Sequence, residues 1–154
     1  MNKSITEAIL EFRDEYLKYY ASDYCKTYYD INNGDCVDFA DEFIAKHPEF
    51  EGEEVESYVN ENFCKQDDDD LNWHSGGWDV DLLEKYWKKI KPIYGLTWEG
   101  MNEVADAYHC FLYHKGKFYD AECPEGVENF FELPLYRRPL KQMAEGKQHN
   151  NKKT

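Results

Sequence analysis

Apolar residues in the first twenty positions recur at helical spacing. Ile5, Ala8, Ile9, Phe12, Tyr16 and Leu17 form one stripe, preceded by Ser4-Ile5-Thr6-Glu7. That tetrad has the form of a capping box, in which a hydroxyl and a carboxylate satisfy first-turn N–H groups. The pattern predicts a helix from about Ser4 to Tyr20. The Tyr-rich stretch from Ala21 to Ile31 has no period and predicts no element. Asn33-Gly34 reads as a turn. After it, Cys36, Phe39, Ala40, Phe43 and Ile44 stand at i, i+3, i+4, i+7 and i+8, the spacing of a second helix. Asp35 is its expected cap, Pro48 its end, and Cys36 falls in its first turn at the head of the apolar stripe.

The segment from Glu51 to Asp70 is acidic and weakly patterned, and its run Gln66-Asp67-Asp68-Asp69-Asp70 reads as a solvated loop. The spacing of an EF-hand calcium loop is absent. Trp73-His74-Ser75-Gly76-Gly77-Trp78 is an aromatic, glycine-rich loop. Leu82, Leu83, Tyr86, Trp87 and Ile90 predict a third helix from about Asp79 to Lys91, opened by acids and closed by lysines as the macrodipole favours. Pro92 and Gly95 are expected to break it. From Ala107 to Glu122 the residues alternate about a turn at Lys115-Gly116, predicting an antiparallel hairpin that Pro124 and Gly126 end. Phe130 to Tyr136 reads as a short final strand or an extended segment. The expected class is α+β, with one domain over 1–136 and a basic, flexible tail over 137–154.

Charge narrows the range of partners. The 154 residues carry a formal net charge of −14, with 17% aromatic content. From Arg137 to Thr154 the chain is net +5, which leaves −19 for the rest. So acidic a body argues against nucleic-acid binding through phosphates, which needs a basic surface. Thirteen Tyr, nine Phe and four Trp can fill a core despite the polar average. The five cysteines, Cys25, Cys36, Cys64, Cys110 and Cys123, are odd in number and contain no CxxC pair. With no apolar leader and no run near the ~20 apolar residues of a membrane span, the expectation is a reduced, cytoplasmic protein with free thiols.

Four residues then converge on one chemistry. Cys36 opens a helix, His109 lies on the first hairpin strand, and Asp120 and Glu122 lie on the second. A two-residue turn at Lys115-Gly116 sets His114 opposite Lys117, Phe111 opposite Asp120 and His109 opposite Glu122. His109, Asp120 and Glu122 then share a face, so either carboxylate can orient the imidazole. A thiol, a base and an orienting carboxylate make up a nucleophilic triad. Asp35 and Asp38 flank the thiol and oppose its ionisation. Cys110 and Cys123 read as packing residues. A zinc site at Cys36 and His109 has no paired-ligand spacing behind it, and no cofactor is expected.

The stretches Asn33-Gly34-Asp35-Cys36-Val37-Asp38-Phe39-Ala40, His109-Cys110-Phe111-Leu112 and Gly116-Lys117-Phe118-Tyr119-Asp120-Ala121-Glu122 resemble the papain-like superfamily. Within it they look most like transglutaminase-like proteins and small phage-encoded relatives. The resemblance implies a nucleophile helix packed on an antiparallel sheet, with Cys36 as nucleophile, His109 as general base and acid, and Asp120 as the orienting residue. It further implies amide hydrolysis or acyl transfer on a peptide or protein substrate. No Gln precedes Cys36, so the oxyanion donor beside the Cys36 amide stays open among Asn32, Asn33 and Trp73. The competing expectation is a non-catalytic acidic protein, a nucleic-acid mimic or an inhibitor of a basic partner.

Overall fold

A computed structural model of the chain describes residues 3–48, 56–59, 64–65, 88–95 and 109–152. The first helix, α1, spans Ile5–Tyr19, and the Ser4 side chain caps it by accepting from the Glu7 N–H at 3.2 Å. Its buried face is Ile5, Ala8, Ile9, Phe12 and Tyr16, the stripe read from the sequence. In the Tyr-rich stretch, a single turn α2 (Tyr28–Asp30) is held by a capping box between Thr27 and Asp30. The helix that carries Cys36, α3, is Cys36–Lys46.

The passage into α3 differs from expectation. Instead of a free Asn33-Gly34 turn, a π-type turn over Ile31–Asp35 joins α2 to α3, with its kink at Asn33 (φ −101°, ψ 18°). Asp35 does not cap α3. Its carboxylate accepts from the Tyr16 hydroxyl at 2.9 Å, the Ser22 N–H at 2.9 Å and the Ser22 hydroxyl at 2.7 Å. A buried carboxylate needs several donors, and α1 with the following loop supplies them.

Five strands form one antiparallel sheet: β1 (Glu56–Val59), β2 (Cys64–Lys65), β3 (Cys110–His114), β4 (Lys117–Asp120) and β5 (Cys123–Val127), in the order β2-β1-β3-β4-β5. The weakly patterned acidic segment contributes β1 and β2, which are too short to show a period; β1 pairs with β3 and β2 with β1, while the run 66–70 read as a loop lies outside the described residues. Pro124 and Gly126 do not end the sheet but lie within β5, an edge strand, where a missing N–H costs no ladder bond. The β3–β4 hairpin has the expected register, His114 opposite Lys117, Tyr113 opposite Phe118 and Leu112 opposite Tyr119. Its turn has Lys115 at φ +48° and Gly116 at φ +82°, the pair of positive angles a type I′ turn needs.

Strand alternation sends the two faces of the sheet to two cores. Cys110, Leu112, Tyr119 and Ala121 pack with α1 and α3, whereas Phe111, Phe118 and Cys123 pack with Ile90, Phe130, Phe131, Leu133, Tyr136 and Leu140. Ile90 belongs to α4, helical over 88–94. The start of this helix near Asp79 and its residues Leu82, Leu83, Tyr86 and Trp87 lie outside the described residues. Pro92 does not stop α4, which runs on until Gly95 (φ +62°) closes it with an N–H to the Lys91 carbonyl at 2.8 Å. Phe130–Glu132 is a 3₁₀ turn capped by Asn129, not a strand. The residues expected as a flexible tail continue helix α5 (Pro134–Lys152). Tyr136 and Leu140 are fully buried with Met143 partly so, at the i, i+4 and i+7 positions of one face. Among the described residues no helix is long and apolar enough to cross a membrane.

Candidate active site

Cys36 is the first residue of α3, placed on the helix face that packs against β3. It is 5% exposed, and its Sγ accepts from the Cys110 N–H at 3.4 Å. His109 directly precedes β3 and is fully buried. Its ring rests against Phe111 and Tyr136, with centroids 5.7 and 5.8 Å away. His109 Nε2 lies 3.0 Å from Asp120 Oδ2 at the end of β4. That contact leaves Nδ1 as the nitrogen available to the Cys36 thiol, which interacts with the same ring.

The carboxylate is itself held. Asp120 is 2% exposed, and its second oxygen, Oδ1, accepts from the Glu122 N–H at 2.9 Å. Burial disfavours the imidazolium, but the hydrogen bonds to Asp120 and Cys36 and the charges of both outweigh it, raising His109 to about 9. Two other thiols are held in the neutral form. Cys25 is pushed up to about 11 by burial and the charge of Asp35, and Cys123 to about 12 by burial and the charges of Asp120 and Glu125. Asp35 is held below its ordinary range, because its donors outweigh burial.

The structure thus brings Cys36, His109 and Asp120 together and separates the two carboxylates left open by the sequence. Glu122, opposite His109 in a simple register, does not bond it. Its side chain accepts from Asn32 Nδ2 at 2.9 Å and forms an ion pair with Arg138 of α5. Asn32 is buried on the turn that leads to Cys36. Asn33 is exposed, its Nδ2 donating to the Tyr29 carbonyl at 2.8 Å. Trp73 lies outside the described residues. Two participants were not read from the sequence. The Cys110 N–H is a backbone group with no sequence signal, and Arg138 was hidden in an apparent basic tail. Among the described residues no cluster of three or more His, Cys, Asp or Glu is set to hold a metal ion.

Comparison with protein-family models, with curated proteins and with solved structures returns no match. The chemistry of the site rests on its own geometry: a thiol at a helix start, an imidazole fixed between it and a carboxylate, and an amide N–H directed at the sulfur.

Proposed function

We propose that this protein is a cysteine hydrolase or acyltransferase acting on amide bonds of a peptide or protein, with a papain-like, transglutaminase-like core. Cys36 is the nucleophile, His109 the proton-transferring group and Asp120 the residue that orients the ring. The observation that carries the reading is the buried His109 held between Asp120 and Cys36. The packing of α3 on an antiparallel sheet supports it at the level of the fold. In this scheme the Cys36 sulfur attacks the carbonyl carbon and His109 gives its proton to the departing amine, leaving a thioester at Cys36. Water or a second amine then attacks the thioester, the first giving hydrolysis and the second amide exchange. His109 takes the proton from that attacker.

The test is competitive alkylation with iodoacetamide at pH 7, with the labelled sites mapped by mass spectrometry. Cys25 and Cys36 are buried alike, at 4% and 5% exposure, so accessibility alone predicts no preference between them. The proposal expects Cys36 to react at least about tenfold faster than Cys25, and the preference to vanish in His109→Ala. Equal labelling, or a preference that survives His109→Ala, would overturn it. The acidic-surface reading would then explain the charge of −14.

A further inference from the structure

We propose that Glu122 and Arg138 are a positioning pair for the thiol site: Glu122 ties the turn that delivers Cys36 to the strand end that carries Asp120, and Arg138 cancels its charge. The inference rests on the reading of Cys36 as a nucleophile. Its ground is a chain of contacts that joins segments far apart in sequence. The Glu122 N–H donates to Asp120 Oδ1 at 2.9 Å, while its carboxylate accepts from Asn32 Nδ2 at 2.9 Å. Asn32 lies four residues before Cys36 on a π-type turn. Across the kink at Asn33, the Asn32 amide reaches Glu122 and the Cys36 sulfur accepts from the Cys110 N–H, so both side chains meet the hairpin. One residue therefore sets the relative position of nucleophile and orienting carboxylate through two bonds.

Arg138 completes the arrangement by charge. The segments that meet at the site carry the carboxylates Asp35, Asp38, Asp120 and Glu122. The positive groups are His109, Arg13 of α1, whose Nη1 donates to the Ala121 carbonyl at 3.1 Å, and Arg138. Arg138 ion-pairs with Glu122, whose side chain is only 13% exposed. Its guanidinium also lies 5.1 Å from the centre of the Tyr29 ring, on the turn before Asn32. Arg138 thus holds both sides of the junction while neutralising Glu122.

A pair that acts through charge and a pair that acts through structure give different signatures. The measurement is the Cys36 alkylation rate at pH 7, at low and high salt, with unfolding followed in parallel. Arg138→Gln leaves Glu122 uncompensated and is expected to slow alkylation about three- to tenfold at low salt, and less at high salt. Glu122→Gln keeps an acceptor for Asn32 and leaves Arg138 uncompensated, so it is expected to speed alkylation. The double variant should return near the parent rate, and Arg138→Lys should keep most of it. Two single variants that both slow the reaction, or that leave it within twofold of the parent, would overturn the pairing. If Arg138→Gln does not fold, the rate in Glu122→Gln decides by its sign. If the parent shows no preference for Cys36 over Cys25, the nucleophile reading itself fails. If it shows one that neither variant moves, only the pairing fails.

Discussion

A fully buried imidazole is costly to charge, yet His109 keeps its proton up to about pH 9, because Asp120 and Cys36 favour the protonated ring. Folding therefore favours the charged form, and the sign of the linkage follows. The stabilisation is fully present below the unfolded value of 6.5 and is lost as the pH rises through about 9. Asp120→Asn removes the charge that faces Nε2. The melting temperature of that variant is expected to fall less between pH 6.5 and 9 than that of the parent, as measured by thermal unfolding across the range. Its Cys36 alkylation rate at pH 7 is expected to drop by about tenfold or more, the scale of an acid–base contribution. An unchanged rate would take the orienting role from Asp120. Cysteine, histidine and the two carboxylates were legible as a set, because the hairpin turn fixes which residues share a face. The hairpin spacing did not choose Asp120 over Glu122, which only the resemblance favoured, because that choice depends on where the chain goes after β4. There Glu122 meets Asn32 and Arg138 from other elements.

At the scale of elements, the helices with long apolar periods were legible and the short strands were not. α1 and α3 each bury a stripe of four or more residues, and that stripe is a local property. β1 and β2 have four and two residues, too few to show a period, and each is held by a neighbour, β1 by β3 and β2 by β1. The fifth strand reads as a breaker for a similar reason. Gly126 sits at φ +77° beneath the Tyr119 ring, where an added Cβ would come 2.5 Å from Tyr119 Cε1. A local scan takes such a glycine for a stop, although here it lets two strands approach. Gly126→Ala combines a strained φ with a clash against a buried ring. It is expected to destabilise the fold by about 1–3 kcal/mol in chemical denaturation. A change under a few tenths would show that β5 moves freely away from β4.

The described residues form a sheet with a different apolar layer on each side, and the thiol site lies where β3 begins and β4 ends. α1 and α3 bring Cys36 from one side. Tyr136 of α5 packs on His109 from the other. The final helix is therefore part of the site's wall, and its removal is expected to reach the chemistry. Leu140 is fully buried in the same core, and Leu140→Ala is expected to cost about 2–5 kcal/mol. Partial loosening of α5 in that variant should also lower the preference of iodoacetamide for Cys36. A protein that loses stability but keeps the full preference would show that α5 supports the fold and not the site.

The sequence by itself determined the class of secondary structure wherever a period ran for more than three turns, the register of the β3–β4 hairpin through its two-residue turn, and the set of residues able to form a thiol site. These depend on neighbours within a few positions, and local spacing is enough to set them. The tertiary structure alone decided that Glu122 goes to Asn32 and Arg138, that Asp35 serves α1 instead of capping α3, and that the chain after Leu133 continues as a helix docked through Tyr136 and Leu140. Each of these is a choice among partners brought in from distant parts of the chain. A buried polar group takes the partner that satisfies it at least cost once the core has closed, and no local pattern records which one that is.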